Sequence, residues 1–81
     1  MEYDFTDRHP NTQNVLRWFE CDHLPPHLRA VVGSIRATAY HLADQLPDSP
    51  ELVAGLRKLL EGKDCLVRAA VEAKEKEDAP S

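Results

Sequence analysis

Two amphipathic runs joined by "LPDSP" constrain this chain more than any other feature. Leu28, Val31, Val32, Ile35, Ala39, Leu42 and Leu46 recur at spacings of three and four, drawing one apolar stripe on a helix from Pro26 to about Leu46. Leu52, Leu56, Leu59, Leu60, Leu66, Val67 and Ala70 draw a second stripe after Pro50. Between them Ser49 suits an N-cap, Pro50 the first helical position, and Glu51 the positive end of the helix dipole. So short a connection between helices of matching length predicts an antiparallel αα-hairpin. No strand alternation or internal repeat competes with that pattern. The expected class is all-α.

Upstream, "NTQNVLRWFE" reads as a short N-terminal helix capped by Asn11 or Thr12. "CDHLPP" ends it, since Pro25 and Pro26 bias the residues before them away from helical geometry. Residues 1–10 then read as an extended arm, residues 11–72 as the helical-hairpin domain, and residues 73–81 as a disordered charged tail. At 81 residues the chain is one domain, close to the lower limit for folding alone. Its large core-fillers are one Trp, two Phe, two Tyr and one Met, too few for a comfortable monomer. With no metal or disulfide staple, a homo-oligomer is the expected remedy.

Charge and motif content exclude several functions. A net charge of −4 argues against a DNA or RNA polymer as partner, because such binding wants a basic footprint. No signal peptide and no apolar run of about 18 residues is present, so the expectation is a cytoplasmic protein with no membrane partner. Cys21 and Cys65 form no C-x-x-C pair and read as reduced thiols, a dimer-linking disulfide being the alternative. His23 and His27 are four apart, but Pro25 and Pro26 between them break the helix that chelation would need, and no third ligand follows. No metal or cofactor is expected; these His cap backbone groups or line a pocket. Without a nucleophile–base–acid set, a G-x-S-x-G turn or a phosphate-cradling Gly loop, the chain reads as a binding protein and not an enzyme.

Several residues depart from plain amphipathic pattern. Arg29, Arg36 and Tyr40 fall together beside the first stripe, with Gly33 next to them. They suit a phosphate and a planar ring, or else a solvated flank with Tyr40 half-buried at an oligomer contact. Lys63 falls in the middle of the second apolar face, where an ammonium must snorkel, pair with a carboxylate, or meet an anion. Arg57 with Glu61, and Asp64 with Arg68, have the spacing of i,i+4 ion pairs. Trp18 and Phe19, the only adjacent large aromatics, either anchor the short helix on the hairpin or offer a stacking platform for a base.

The stretches F-E-x-D-H-L-P-P (from Phe19), L-P-D-x-P (from Leu46) and L-L-E-x-K-D-x-x-V-R-A (from Leu59), in that order, carry a family resemblance over positions 9 to 71. The chain resembles the hairpin domain of small phage anti-defence proteins, the anti-CBASS and anti-Thoeris sponges that sequester cyclic oligonucleotide signals. That resemblance implies an αα-hairpin with a short N-terminal helix, assembled into homo-oligomers, often hexamers built as trimers of dimers. It also implies binding of cyclic dinucleotides, and in many cases cyclic trinucleotides at separate sites, without cleavage. Host nucleotide-gated effectors of the CBASS and Thoeris type would then stay off in the infected bacterial cytoplasm. In the family an aromatic near the F-E-x-D-H-L segment stacks on a base; its position here is Cys21, so Phe19 or Trp18 substitutes or dinucleotide binding is weak. The phosphate-contacting basic position falls on Arg36, and the arginine that approaches trinucleotides falls on Arg68.

The sequence therefore nominates Trp18, Phe19, Cys21, His23, Arg29, Arg36, Lys63 and Arg68 as ligand-binding residues. The competing expectation is a helical protein–protein interaction module with no small ligand.

Overall fold

The computed structural model describes residues 3–78, all of whose regular elements are helical. Helix α1 spans Pro10–Leu16 and runs into a single 3-10 turn at Arg17–Phe19. Helix α2 spans Pro26–Gln45 and α3 spans Pro50–Asp78. Ala39 and Ala43, late in α2, cluster with Leu52 and Leu56, early in α3. Val32 near the start of α2 and Val67 far along α3 line one hollow. The pair is thus an antiparallel hairpin, closed by residues 46–49. Ser49 caps α3 as its sequence position requires, its Oγ accepting from the Leu52 N–H at 3.0 Å.

The apolar stripe on α2 is rotated from the one that spacing alone suggests. Val32, Ala39 and Ala43 are buried, while Leu42 and Leu46 are 39% and 48% exposed. The short N-terminal helix causes this. Val15, Leu16 and Phe19 pack onto the hairpin beside the two alanines, whose small side chains let that third element come close. Phe19 is fully buried and anchors the cluster.

Capping at α1 also differs from expectation. Neither Asn11 nor Thr12 is the cap; His9 is, with its Nδ1 accepting from the Asn11 N–H at 3.0 Å. Pro10 is the first residue of the helix instead of the end of the arm, a position that suits its fixed φ and missing N–H. Thr12 is buried and donates its hydroxyl to Asp48 Oδ1 at 2.8 Å.

The described part of the N-terminal arm is docked rather than extended. Phe5 O accepts from the Arg8 N–H at 3.0 Å and from Gln13 Nε2 at 2.7 Å, so the chain turns back on itself. Phe5 lies edge-on to Tyr40 with ring centroids 5.5 Å apart, and Tyr3 stacks on Phe5. Arg8 then donates to the carbonyls of Ala43 and Leu46. These are groups that the end of α2 leaves without helical partners.

The charged C-terminal segment departs from expectation too. Residues 73–78 continue α3 as helix; residues 79–81 lie outside the described part. Ala, Glu and Lys are good helix formers, and Lys74 and Asp78 approach to 3.7 Å at i,i+4 spacing. The helices are consequently unmatched, 29 residues in α3 against 20 in α2. At 1.5 Å per residue α3 is about 43 Å long. It defines most of the molecule's 51 Å long dimension.

Candidate functional site

A groove of about 510 Å³ opens where the 3-10 turn, the start of α2 and the middle of α3 meet. Val32 and Val67 contribute apolar wall, and Trp18, His23, Lys63 and Arg68 project polar or aromatic groups into its lining. Those four come from three separate stretches of sequence. One protomer is therefore enough to form a concave surface. A smaller hollow of about 250 Å³ adjoins it and shares Trp18, Lys63 and Asp64.

The 3-10 turn sets the aromatic component. It places consecutive side chains on different sides of the backbone, so Phe19 points into the core and Trp18 out, 59% exposed. Phe19 has no accessible face and cannot stack on a ligand, contrary to one of the two expectations for this pair. The Arg17 guanidinium stands 5.0 Å from the Trp18 ring centre and covers part of the indole. Cys21, at the position where the resemblance calls for an aromatic, is also buried and offers no ligand surface.

The cationic component comes from α3. The Lys63 side chain is only 15% exposed, and its Nζ lies 2.9 Å from Asp64 Oδ1. Of the outcomes open to a lysine on an apolar face, pairing is the one realised, with the head group still on the groove wall. Arg68 does not pair with Asp64 as i,i+4 spacing suggests. Asp64 is turned to Lys63, and Arg68 Nη2 instead lies 3.3 Å from Cys65 Sγ.

Arg36 is not brought to this groove. Its Nη1 sits 3.6 Å from Asp22 Oδ1 and 3.8 Å from Glu20 Oε2, with its guanidinium 5.9 Å from the Tyr40 ring centre. Tyr40 in turn donates its hydroxyl to Glu20 Oε1 at 3.2 Å. Burial pushes the Tyr40 hydroxyl above its ordinary pKa, and the nearby Glu20 charge pushes the same way. Arg29 is exposed on α2 and lines neither hollow; His27 is exposed beside it.

Another hollow, about 520 Å³, lies by the first turns of α1 and α3, with Arg57 and Asp48 in its wall. No Trp, Tyr or Phe lines it, and its carboxylate is already occupied. Asp48 accepts from the His9 N–H, the Thr12 hydroxyl and Arg8 Nε, and these bonds hold its carboxyl below the usual carboxylate value, the His9 N–H most of all. That hollow is structural in character.

Three charged groove residues, Arg17, Glu20 and Asp64, were not among the nominated site residues. Arg17 carries a signal in its adjacency to Trp18. Asp64 carries one in its adjacency to Lys63, and Glu20 carries one only in its place within the F-E-x-D-H-L-P-P stretch. Among the described residues, no group of three or more His, Cys, Asp or Glu side chains is placed to hold a metal ion. No helix of the described residues is long and apolar enough to cross a membrane. No protein-family model matches the chain, and no curated protein or solved structure matches it.

Proposed function

We propose that the protein is a sponge that binds a cyclic oligonucleotide second messenger and holds it without cleaving it. The observation that carries this reading is the groove. It gathers an exposed indole, Lys63, Arg68 and His23 around an apolar wall. An indole face suits a base, and a lysine and an arginine suit phosphodiester oxygens. The groove's volume falls in the range of about 300–1,000 Å³ common to small-ligand sites. The family resemblance of the F-E-x-D-H-L-P-P and L-L-E-x-K-D-x-x-V-R-A segments supports the same ligand class. Two of the groove's cations, Lys63 and Arg68, belong to the second of those segments.

In this reading copies of the chain associate, and a hexamer built as a trimer of dimers is the assembly the resemblance favours. Leu66 is 51% exposed, and Leu42, Leu46 and Val71 are also open, so the single chain leaves apolar surface for neighbours to cover. Binding lowers free messenger by mass action, and host CBASS- or Thoeris-type effectors in the infected cell stay inactive. Affinity and slow release are all the task requires.

Titration calorimetry against cyclic di- and trinucleotides tests the proposal, with chromatography of the ligand recovered after denaturation. The expected result is a dissociation constant below about micromolar for at least one ligand, recovered intact. A silent panel, or a cleaved ligand, would overturn it. The same exposed leucines favour a second reading, a helical module that docks another protein and no small ligand. Partner capture that is insensitive to Lys63→Ala would support that one.

A further inference from the structure

The groove is not purely basic. Arg17, Lys63 and Arg68 share its lining with two carboxylates, Glu20 and Asp64. Carboxylates repel phosphodiesters, so their presence in a phosphate-binding groove calls for a ligand that also brings N–H donors. A nucleobase edge is such a group.

The two carboxylates differ in what they can still accept. Glu20 receives the Tyr40 hydroxyl on Oε1 and faces Arg36 on Oε2. Asp64 meets Lys63 Nζ through Oδ1, and its other oxygen has no further partner among the described residues. Asp64 and Lys63 also line both hollows together with Trp18, beside the aromatic surface on which a base would rest. An ammonium and a carboxylate side by side complement the edge of guanine, where O6 accepts and N1–H and the 2-amino group donate. Adenine places the acceptor N1 where guanine has N1–H, against the carboxylate.

We infer that Asp64, held by Lys63, reads the hydrogen-bonding edge of guanine and makes the groove select guanine-containing cyclic dinucleotides over their adenine counterparts. This rests on the cyclic-oligonucleotide reading of the groove. Lys63 supplies a donor to O6 while it fixes Asp64, and Trp18 supplies the stacking surface. A site built around donors on the ligand rejects a ring that lacks them, because its own polar groups are then left unpaired.

The test is calorimetry on the full chain with three 3′,5′-cyclic dinucleotides that carry two guanines, two hypoxanthines or two adenines. The wild-type protein should bind the guanine ring at least about tenfold more tightly than the adenine ring. The hypoxanthine ring, which keeps N1–H and lacks the 2-amino group, should fall between them. Asp64→Asn should erase the guanine preference, bringing the guanine and adenine affinities together, with circular dichroism unchanged because Asp64 is exposed. Equal affinities, an adenine preference, or a guanine preference that survives Asp64→Asn would each overturn the inference and leave the sponge reading standing. If none of the three rings bound, the dinucleotide function of the groove would fall, and the inference with it.

Discussion

Arg8 and Asp48, forty positions apart, meet in a 3.0 Å hydrogen bond between Nε and Oδ1 that ties the N-terminal arm to the hairpin turn. The same guanidinium reaches the carbonyls of Ala43 and Leu46, so one side chain closes α2 and anchors the arm. Arg8→Ala leaves those carbonyls without their donor and should lower stability by about 1–2 kcal/mol. For a domain of this size that is a fall of about 5–10 °C in Tm. Thermal unfolding followed by circular dichroism checks it; an unchanged midpoint would mean the tie is ornamental.

Asp48 gives the fold an acid limit. Its carboxyl is held below the ordinary value of 3.8, chiefly by the His9 N–H and then by Thr12. A depressed folded pKa stabilises above the unfolded value, and the contribution is lost as pH falls through the folded one. The melting midpoint should therefore drop below pH 4 more steeply in the wild type than in Asp48→Asn, which has already lost the charge. Parallel pH profiles would assign the acid sensitivity to other carboxylates.

Adjacent aromatics should give opposite results. Phe19→Ala removes a fully buried ring and should cost about 3–5 kcal/mol, enough to unfold most of a small domain. Trp18→Ala should fold normally, since the indole is exposed, and should weaken cyclic nucleotide binding by about tenfold or more through lost stacking. Chemical denaturation and calorimetry on the two variants separate the roles. A Trp18 variant that binds normally would remove the indole from the site.

The basic residues should separate in the same way. Lys63→Ala should weaken binding by about tenfold, because a donor on the groove wall and the hold on Asp64 are lost together. Arg36→Ala should have the smaller effect, because its charge is already met by Asp22 and Glu20 and it stands away from the groove. Affinities measured over a range of sodium chloride concentrations decide between them, and a larger loss at Arg36 would move the ligand to that flank.

Leucines on α3 should divide between folding and assembly. Leu56 is buried within the chain, so Leu56→Glu should abolish folding by placing an unpaired charge in the core. If copies associate as proposed, Leu66→Glu should preserve helicity and reduce the mass seen in light scattering, because Leu66 is exposed on the single chain. A Leu66 variant of unchanged mass would place the contact between copies elsewhere.

The hairpin was legible because two runs of three-and-four spacing flank Ser49 and Pro50, signals that are local and need no knowledge of the rest of the chain. The rotation of the α2 stripe was not. Leu42 and Leu46 look as apolar as Ala39 and Ala43, and only the placement of the short helix decides which of them is covered. The docked arm is not legible, because its tie depends on partners such as Ala43 and Asp48, far along the chain, for which local spacing gives no signal. Residues 73–78 misled because Glu and Lys favour both water and helix. Of the nominated site residues, Trp18, His23, Lys63 and Arg68 converge on one groove. Phe19 and Trp18 could not be told apart by composition, since their roles are set by the pitch of a single 3-10 turn.

That turn has a kinetic consequence. With Phe19 locked among Val15, Leu16 and the alanines of α2, the backbone beneath Trp18 has no slack. The backbone part of the ordering entropy of presenting the indole has been spent during folding, and an arriving ring has only the exposed indole's own rotamers left to immobilise on the protein side. If the groove binds a cyclic nucleotide as proposed, that saving would favour fast capture against receptors competing for the same ligand.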